Sequence, residues 1–215
     1  MAKTAATPDA TDPAMRADAR RNRDRVLGAA RTVFSEHGTD ASLRDVARRA
    51  GVGIGTLYRH FPTREALLEA LVGHGFDGLS AAAEELLTAE SPGDALISWL
   101  RDLAAGTTTY HGLPASVMAA VHDEESWLHE SCAAMRAGGA RLLTRAQEAG
   151  AVRSDVTMEE LLALVAGISW VSERIPAQAD LADRLLSLTM EGVQRQGGRG
   201  EAHPVVTPGD RDTRP

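Results

Sequence analysis

The side chains best suited to bind a nucleic acid lie between residues 42 and 64. Val52, Leu57 and Phe61 are spaced to hold one short helix against a preceding one. The residues left outside are small or can form hydrogen bonds: Gly53, Ile54, Gly55, Thr56, Tyr58, Arg59 and His60. Small residues let a helix approach the base edges of a DNA major groove, where Thr, Arg and His supply donors. This spacing predicts the second helix of a helix-turn-helix.

Polar residues before and after this helix extend the same surface. Ser42 and Arg44 open the preceding helix, and Arg64 opens the following one, where contact with phosphate or base is natural. Packing at the edge of the core is the alternative for Tyr58, and helix capping or solvation is the alternative for His60. Arg59 and Arg64 could also be ordinary surface charges. The spacing of all these residues together favours DNA binding.

A second group of reactive side chains, between His122 and His129, could suggest a metal site. The two histidines are seven positions apart, and the acidic residues between them point in several directions on a helix, so a solvated helix start explains them better. No zinc-protease signature, phosphate loop or nucleophile elbow is found in the sequence. We therefore predict no catalytic residue, no metal and no cofactor, and we interpret the lone Cys132 as a small buried residue on a helix.

The charge along the chain is uneven. Residues 1–65 contain 12 basic and 8 acidic residues, whereas residues 66–215 contain 11 basic and 22 acidic ones. The basic N-terminal part is therefore suited to bind phosphates, and the acidic remainder of the chain repels them. The chain has no apolar run long enough to cross a bilayer and no secretory signal, and its single cysteine fits a reducing compartment, so we expect a cytoplasmic protein.

Helical periodicity recurs along most of the chain, and no alternating strand pattern competes with it. Helices are predicted at about residues 17–37, 43–50, 54–61, 64–89, 94–109, 113–122, 124–149, 158–172 and 178–194. The sequence therefore predicts an all-α fold. We expect a disordered arm at 1–16, a helix-turn-helix domain at 17–64, a helical regulatory and dimerisation domain at 65–196, and a disordered tail at 197–215.

The sequence closely resembles the tetracycline-repressor (TetR) family of bacterial regulators at Ala50-Gly51-Val52, at Gly55 to Phe61 and at Glu65 to Leu68. This resemblance implies an Ω-shaped helical dimer with a four-helix interface. It implies base contacts from Arg44, Gly55, Thr56 and Arg59, and phosphate contacts from Ser42, Tyr58, His60 and Arg64. Ile54 stands where operator specificity varies and offers apolar contact. The family commonly has lysine at the position of Arg64.

A small-molecule cavity in the C-terminal half would be mostly apolar with a few polar groups. Its candidate lining residues are Trp99, Leu103, Tyr110, Met118, His122, Trp127, Met135 and Trp170, although for any single one of them core packing is the favoured interpretation. The stretch 161–170 is apolar almost all round, so we expect it to be covered by a second subunit together with Leu181, Leu185, Leu188 and Met190. A buried helix within one chain is the alternative there.

These features predict a ligand-responsive repressor that binds a pseudo-palindromic DNA operator as a homodimer. The alternative function is an all-helical enzyme or carrier for a small molecule that retains a vestigial DNA-binding motif.

Overall fold

The computed structural model describes residues 13–108, 113–175 and 180–193, and these residues form helices and loops without a strand. The prediction of an all-α fold is confirmed for them. The helices are α1 (Pro13–His37), α2 (Leu43–Ala50), α3 (Ile54–His60), α4 (Arg64–Leu86), α5 (Pro92–Thr108), α6 (Ala115–His122), α7 (Trp127–Glu148), α8 (Met158–Arg174) and α9 (Leu181–Val193). No helix of the described residues is long and apolar enough to cross a membrane.

Several helix ends differ from the prediction. α1 is already helical at Pro13, four residues before the predicted start, because proline is compatible with the first turn of a helix. α5 starts at Pro92, since Ser91 accepts a hydrogen bond from the backbone N–H of Asp94. α7 starts only at Trp127, because the side chain of Ser126 caps the helix by accepting the backbone N–H of Leu128. The predicted tail at 197–215 and the part of the arm at 1–12 lie outside the described residues.

The turn between α2 and α3 is built from two local signals. The hydroxyl of Ser42 accepts the backbone N–H of Arg44 at 3.2 Å and so begins α2. Gly51 ends the helix with a φ of 65°, a left-handed conformation that a residue with a Cβ adopts only with strain. The N–H of Val52 then returns to the carbonyl of Ala47 at 3.0 Å. These bonds fix the direction in which α3 leaves the turn.

One core cluster lies under α1, α2, α3 and the first half of α4. Its largest buried side chains include Phe34, Leu57 and Leu67. Val117 of α6 and Leu128 of α7 are fully buried in the same cluster. The start of α7 and the short helix before it are therefore packed into the core of the N-terminal helices.

A second core cluster joins α5, α7, α8 and α9. Trp99 of α5 is fully buried in it, and the indole Nε1 donates to the carbonyl of Leu79 at 2.8 Å. Cys132 packs against this cluster while half-buried, and burial raises the pKa of its thiol. The second half of α4 contributes Ala83, so α4 belongs to both cores.

The long helices α4 and α7 lie against each other over much of their length. Arg141 of α7 binds both carboxylate oxygens of Glu84, with one N···O distance of 3.1 Å, and this hydrogen bonding lowers the pKa of Glu84. At the other end of the contact, the indole ring of Trp127 lies against Gly73. The contact therefore holds α7 against α4, the helix that follows α3.

Candidate nucleic-acid interface

The short helix α3 has one buried side and one exposed side. Leu57 is fully buried and Phe61, which ends the helix, is 2% exposed, so the two residues fasten α3 to the N-terminal core. On the other side Ile54 is 37% and Tyr58 47% exposed. Gly53, Gly55 and Arg59 are exposed as well, and Thr56 and His60 are half-buried. The side chains named from the sequence thus lie on the face that α3 presents to solvent.

An open cleft of about 440 Å³ lies beside this face. It is lined by Ser42, Leu43, Arg44, Tyr58, Thr63 and Arg64. Ser42 caps α2, and the hydroxyl of Thr63 caps α4 by accepting the backbone N–H of Ala66 at 3.0 Å. The first N–H groups of a helix lack partners within it, and its N-terminus carries partial positive charge. Two helix N-termini and two arginines therefore meet in one cleft, an arrangement that suits a phosphate group.

The arginines of this region fall into two groups. Arg48 forms an ion pair with Asp45 at 2.7 Å, and Arg49 forms one with Glu36 at 3.1 Å. Arg44 and Arg59 are exposed and have no acidic partner in the part of the chain that the structure describes. Their guanidinium groups are therefore available to an anion that approaches this surface.

Arg64 has a second role that the sequence did not indicate. Its Nη1 donates to the carbonyl oxygens of Thr39 at 2.6 Å and of Ala41 at 2.7 Å, while the side chain remains half-buried. Arg64 thereby ties the N-terminus of α4 to the loop between α1 and α2. Arg64 also lines the cleft, and its guanidinium has further N–H groups besides those on Nη1.

The sequence prediction omitted two residues of the cleft, Leu43 and Thr63. Thr63 carries a recognisable signal, because a threonine directly after Pro62 and before an apolar helical run is a typical N-cap. Leu43 is buried and is one of the residues that line the cleft. On the far side of Phe61, Arg23 of α1 stacks over the aromatic ring at 5.5 Å and supports the end of α3.

The candidate residues for a small-molecule site are scattered. Trp99, Leu103 and Met135 are buried in the second core cluster. Met118, His122, Trp127 and Trp170 are exposed, and Tyr110 lies outside the described residues. A second cleft of about 800 Å³ runs between α8 and α9, and none of the seven candidates that the structure describes lines it. The assignment of these residues to an effector site stays a prediction.

The histidines between α6 and α7 bond to the backbone. Nδ1 of His122 donates to the carbonyl of Met118 at 2.7 Å, and Nδ1 of His129 donates to that of Val121 at 3.0 Å. Within the described ranges, no group of three or more His, Cys, Asp or Glu side chains could hold a metal ion.

The outer face of α8 and α9 is apolar and exposed. Leu164 is 42%, Trp170 57% and Leu188 56% exposed. The guanidinium of Arg174 stacks on the Trp170 ring at 3.8 Å. The prediction that Met190 is covered by a second subunit was wrong. This residue is 2% exposed and lies in the chain's own second core cluster. It is on the opposite side of α9 from Leu188.

Two family models match the chain. The model described as bacterial regulatory proteins of the tetR family matches residues 26–71. The model described as the C-terminal domain of SbtR-like transcriptional regulators matches residues 91–195.

Individual relatives agree with these models. The TetR transcriptional regulator SCO0520 from Streptomyces coelicolor, a solved structure, is 39% identical with a TM-score of 0.67, over 80% of this chain and 98% of that one. The transcriptional repressor LfrR of Mycolicibacterium smegmatis is 41% identical over 40% of this chain and 46% of that protein. The regulator UidR of Escherichia coli is 41% identical over 27% of this chain and 30% of that protein. The chain therefore matches less than half of the length of either curated relative.

Proposed function

Because the chain belongs to the TetR family of bacterial transcriptional regulators, we propose that it is a repressor that binds a pseudo-palindromic DNA operator as a homodimer. A small molecule bound in the helical C-terminal half would release it. The alternative of an all-helical enzyme or carrier is not favoured, because both family models and the solved relative are described as regulators.

One observation carries the DNA-binding part of the proposal. The cleft at the N-termini of α2 and α4 lies directly beside the exposed face of α3, and Tyr58 borders both. A phosphate held in the cleft would place α3 against the adjacent major groove. Phosphate contacts then fix the position of the helix, and Arg59 and Thr56 can reach base edges.

We propose that Ser42, Tyr58, His60 and Arg64 contact phosphates and that Arg44, Gly55, Thr56 and Arg59 contact bases. Gly53 would allow close approach of the backbone, and Ile54 would make an apolar contact. The free guanidinium groups of Arg44 and Arg59 support this division, whereas Arg48 and Arg49 are already paired. A DNA-binding unit at 17–64 and a regulatory unit at 65–196 remain our proposed domain limits.

The homodimer is supported by the exposed apolar face of α8 and α9. A monomer would leave Leu164, Trp170 and Leu188 in water at a cost of roughly 25 cal/mol for each Å² of apolar surface. A second copy that covers this face would place two α3 helices on one side of a DNA duplex. Because the operator is chromosomal DNA in this proposal, we place the protein in the cytoplasm.

The proposal is tested by selecting DNA fragments from a random pool with the purified chain and then titrating the selected duplex at several salt concentrations. We expect a sequence with two-fold symmetry, and binding that weakens steeply as salt rises, because counterions are released from each contacted phosphate. Selection of no common sequence, together with binding insensitive to salt, would refute the proposal.

A further inference from the structure

Two hydroxyl groups on the inner side of α8 lack hydrogen-bond partners in the part of the chain that the structure describes. They are the Oγ atoms of Ser169 and Ser172, and both atoms are buried. Ser169 as a residue is only 1% exposed and, with Thr39, is one of two polar residues that are buried in the described part of the chain. A third unpaired atom, Nη1 of Arg145, belongs to a guanidinium whose Nη2 already donates to Ala89.

Other hydroxyl groups in the middle of helices behave differently. Thr32, Thr144 and Thr189 each donate to the carbonyl four residues earlier, at 3.2, 3.0 and 2.9 Å. This local bond is the usual way for a helical Ser or Thr to satisfy its hydroxyl. Ser169 and Ser172 do not form it. A buried polar group without a partner costs about 1–3 kcal/mol, so two of them three residues apart need an explanation.

Their surroundings restrict what could bind them. Leu161, Val165 and Ile168 occupy the same inner side of α8 and are buried in the second core cluster, so the hydroxyls continue an apolar stripe. These three neighbours carry no charge, and burial of a charged ligand against them without an opposite charge is costly.

We propose that Ser169 and Ser172 bind the polar group of the effector, and that the effector is a neutral, largely apolar molecule with a hydroxyl or a carbonyl group. This inference rests on the proposed function, since it specifies the effector of the same regulator. A serine hydroxyl both donates and accepts, so it can serve either group. Effector binding would supply the partner that these hydroxyls lack among the described protein groups.

The first test measures thermal unfolding of the full chain without any ligand. Ser169→Ala removes an unpaired buried hydroxyl and should raise the Tm by about 2–4 °C. Thr189→Ala is the matched control, because it removes a hydroxyl that already has a partner and should lower the Tm. A lower Tm for Ser169→Ala would mean that the hydroxyl already has a stabilising bond, and the inference would fall.

The second test uses three probes that share an ethylbenzene unit: 4-ethylphenol, ethylbenzene and 4-ethylbenzoate, each measured by titration calorimetry. We expect the chain to bind 4-ethylphenol about threefold to tenfold more tightly than ethylbenzene, as one hydrogen bond allows, and to bind 4-ethylbenzoate most weakly. Ser169→Ala combined with Ser172→Ala should abolish the preference for the phenol and leave ethylbenzene binding unchanged. Equal affinities in the wild type, no binding of any probe, or a preference that survives both substitutions would overturn the inference.

Titration of the selected operator duplex separates the two proposals. If the chain binds the operator but shows no preference for the phenol, the proposed function is supported and the serine site is refuted. If the phenol binds through the serines but no operator can be selected, the serine site is supported and the proposed function is refuted.

Discussion

The indole ring of Trp127, at the first position of α7, covers Gly73 in α4. A Cβ added at Gly73 would lie 2.2 Å from Cζ3 and 2.5 Å from Cη2 of that ring, and 3.4 Å from Cδ1 of Leu128. No carbon atom is accommodated at the first two distances. Because α4 carries the cleft at its N-terminus, this contact links the start of α7 to the surface that we propose for DNA.

Gly73→Ala should therefore destabilise the protein. The new methyl group must displace the Trp127 ring or separate α4 from α7, and overpacking of this kind costs about 1–3 kcal/mol. The control is Gly75→Ala in the same helix, where a Cβ would meet no atom within 4 Å and the better helix propensity of alanine should be neutral or stabilising. Urea unfolding measures both free energies, and equal stability of the two variants would contradict the packing described.

Arg59→Ala should relax the sequence preference of DNA binding. We expect a loss of about 1–3 kcal/mol on the selected operator and much less on unrelated DNA, because the side chain is assigned to bases. Arg48→Ala is the matched control, since Arg48 is exposed but already paired with Asp45. Gel-shift titrations of the wild type and of both variants measure these affinities. An Arg59→Ala variant with wild-type affinity and selectivity would show that α3 is wrongly placed on the DNA.

Leu164→Arg should dissociate the proposed dimer. A charge buried in the proposed apolar interface lacks a partner, and this cost far exceeds any loss within the monomer, where Leu164 is 42% exposed. The thermal stability of each subunit's core should change little. Sedimentation equilibrium gives the mass, with Glu148→Arg, at an exposed site on α7, as control. A dimer that persists in Leu164→Arg would place the interface elsewhere.

The start of α8 should give a pH-dependent contribution to stability. The carboxylate of Glu160 accepts hydrogen bonds from the backbone N–H of Thr157 at 2.8 Å and from its hydroxyl at 3.0 Å. The same hydroxyl oxygen accepts the backbone N–H of Glu160 at 3.2 Å. The hydrogen bond from that backbone N–H is the main cause of a lowered pKa of Glu160. A lowered carboxyl pKa in the folded state stabilises the protein above the ordinary glutamate pKa, and this contribution is lost as pH falls through the lowered value.

Glu160→Gln retains the shape of this bond but cannot titrate. We expect the Tm of the wild type to fall more steeply than that of Glu160→Gln when the pH is lowered from 6 to 3. Parallel curves for the two proteins would show that the helix start contributes nothing measurable to the pH dependence.

The sequence was sufficient where a structure is decided by residues close together in the chain. Ser42 and Gly51 set the two ends of α2 at the predicted positions, and Pro62 and Thr63 separate α3 from α4. Such signals act within a few residues and need no knowledge of the packing.

Contacts between distant residues could not be predicted in the same way. Nothing near Gly73 indicates that Trp127 will cover it, and nothing near Arg64 indicates the carbonyls of Thr39 and Ala41. For the effector site, an apolar residue at helical spacing has the same pattern whether it lines a cavity or fills a core. Trp99 illustrates this, since its burial and its bond to Leu79 are those of a core residue.

The bonds of Arg64 to Thr39 and Ala41 have a consequence for the kinetics of recognition. An arginine side chain that is free in solution loses about 2 kcal/mol of rotamer entropy when it is immobilised. Arg64 loses this freedom during folding, so a phosphate that arrives in the cleft meets a guanidinium already held in place. Arginine has further N–H groups on Nη2 and Nε for a phosphate, whereas all three N–H groups of a lysine lie on one nitrogen. Under the proposed function the protein would approach DNA with one of its phosphate contacts preorganised, which favours capture at the first productive encounter.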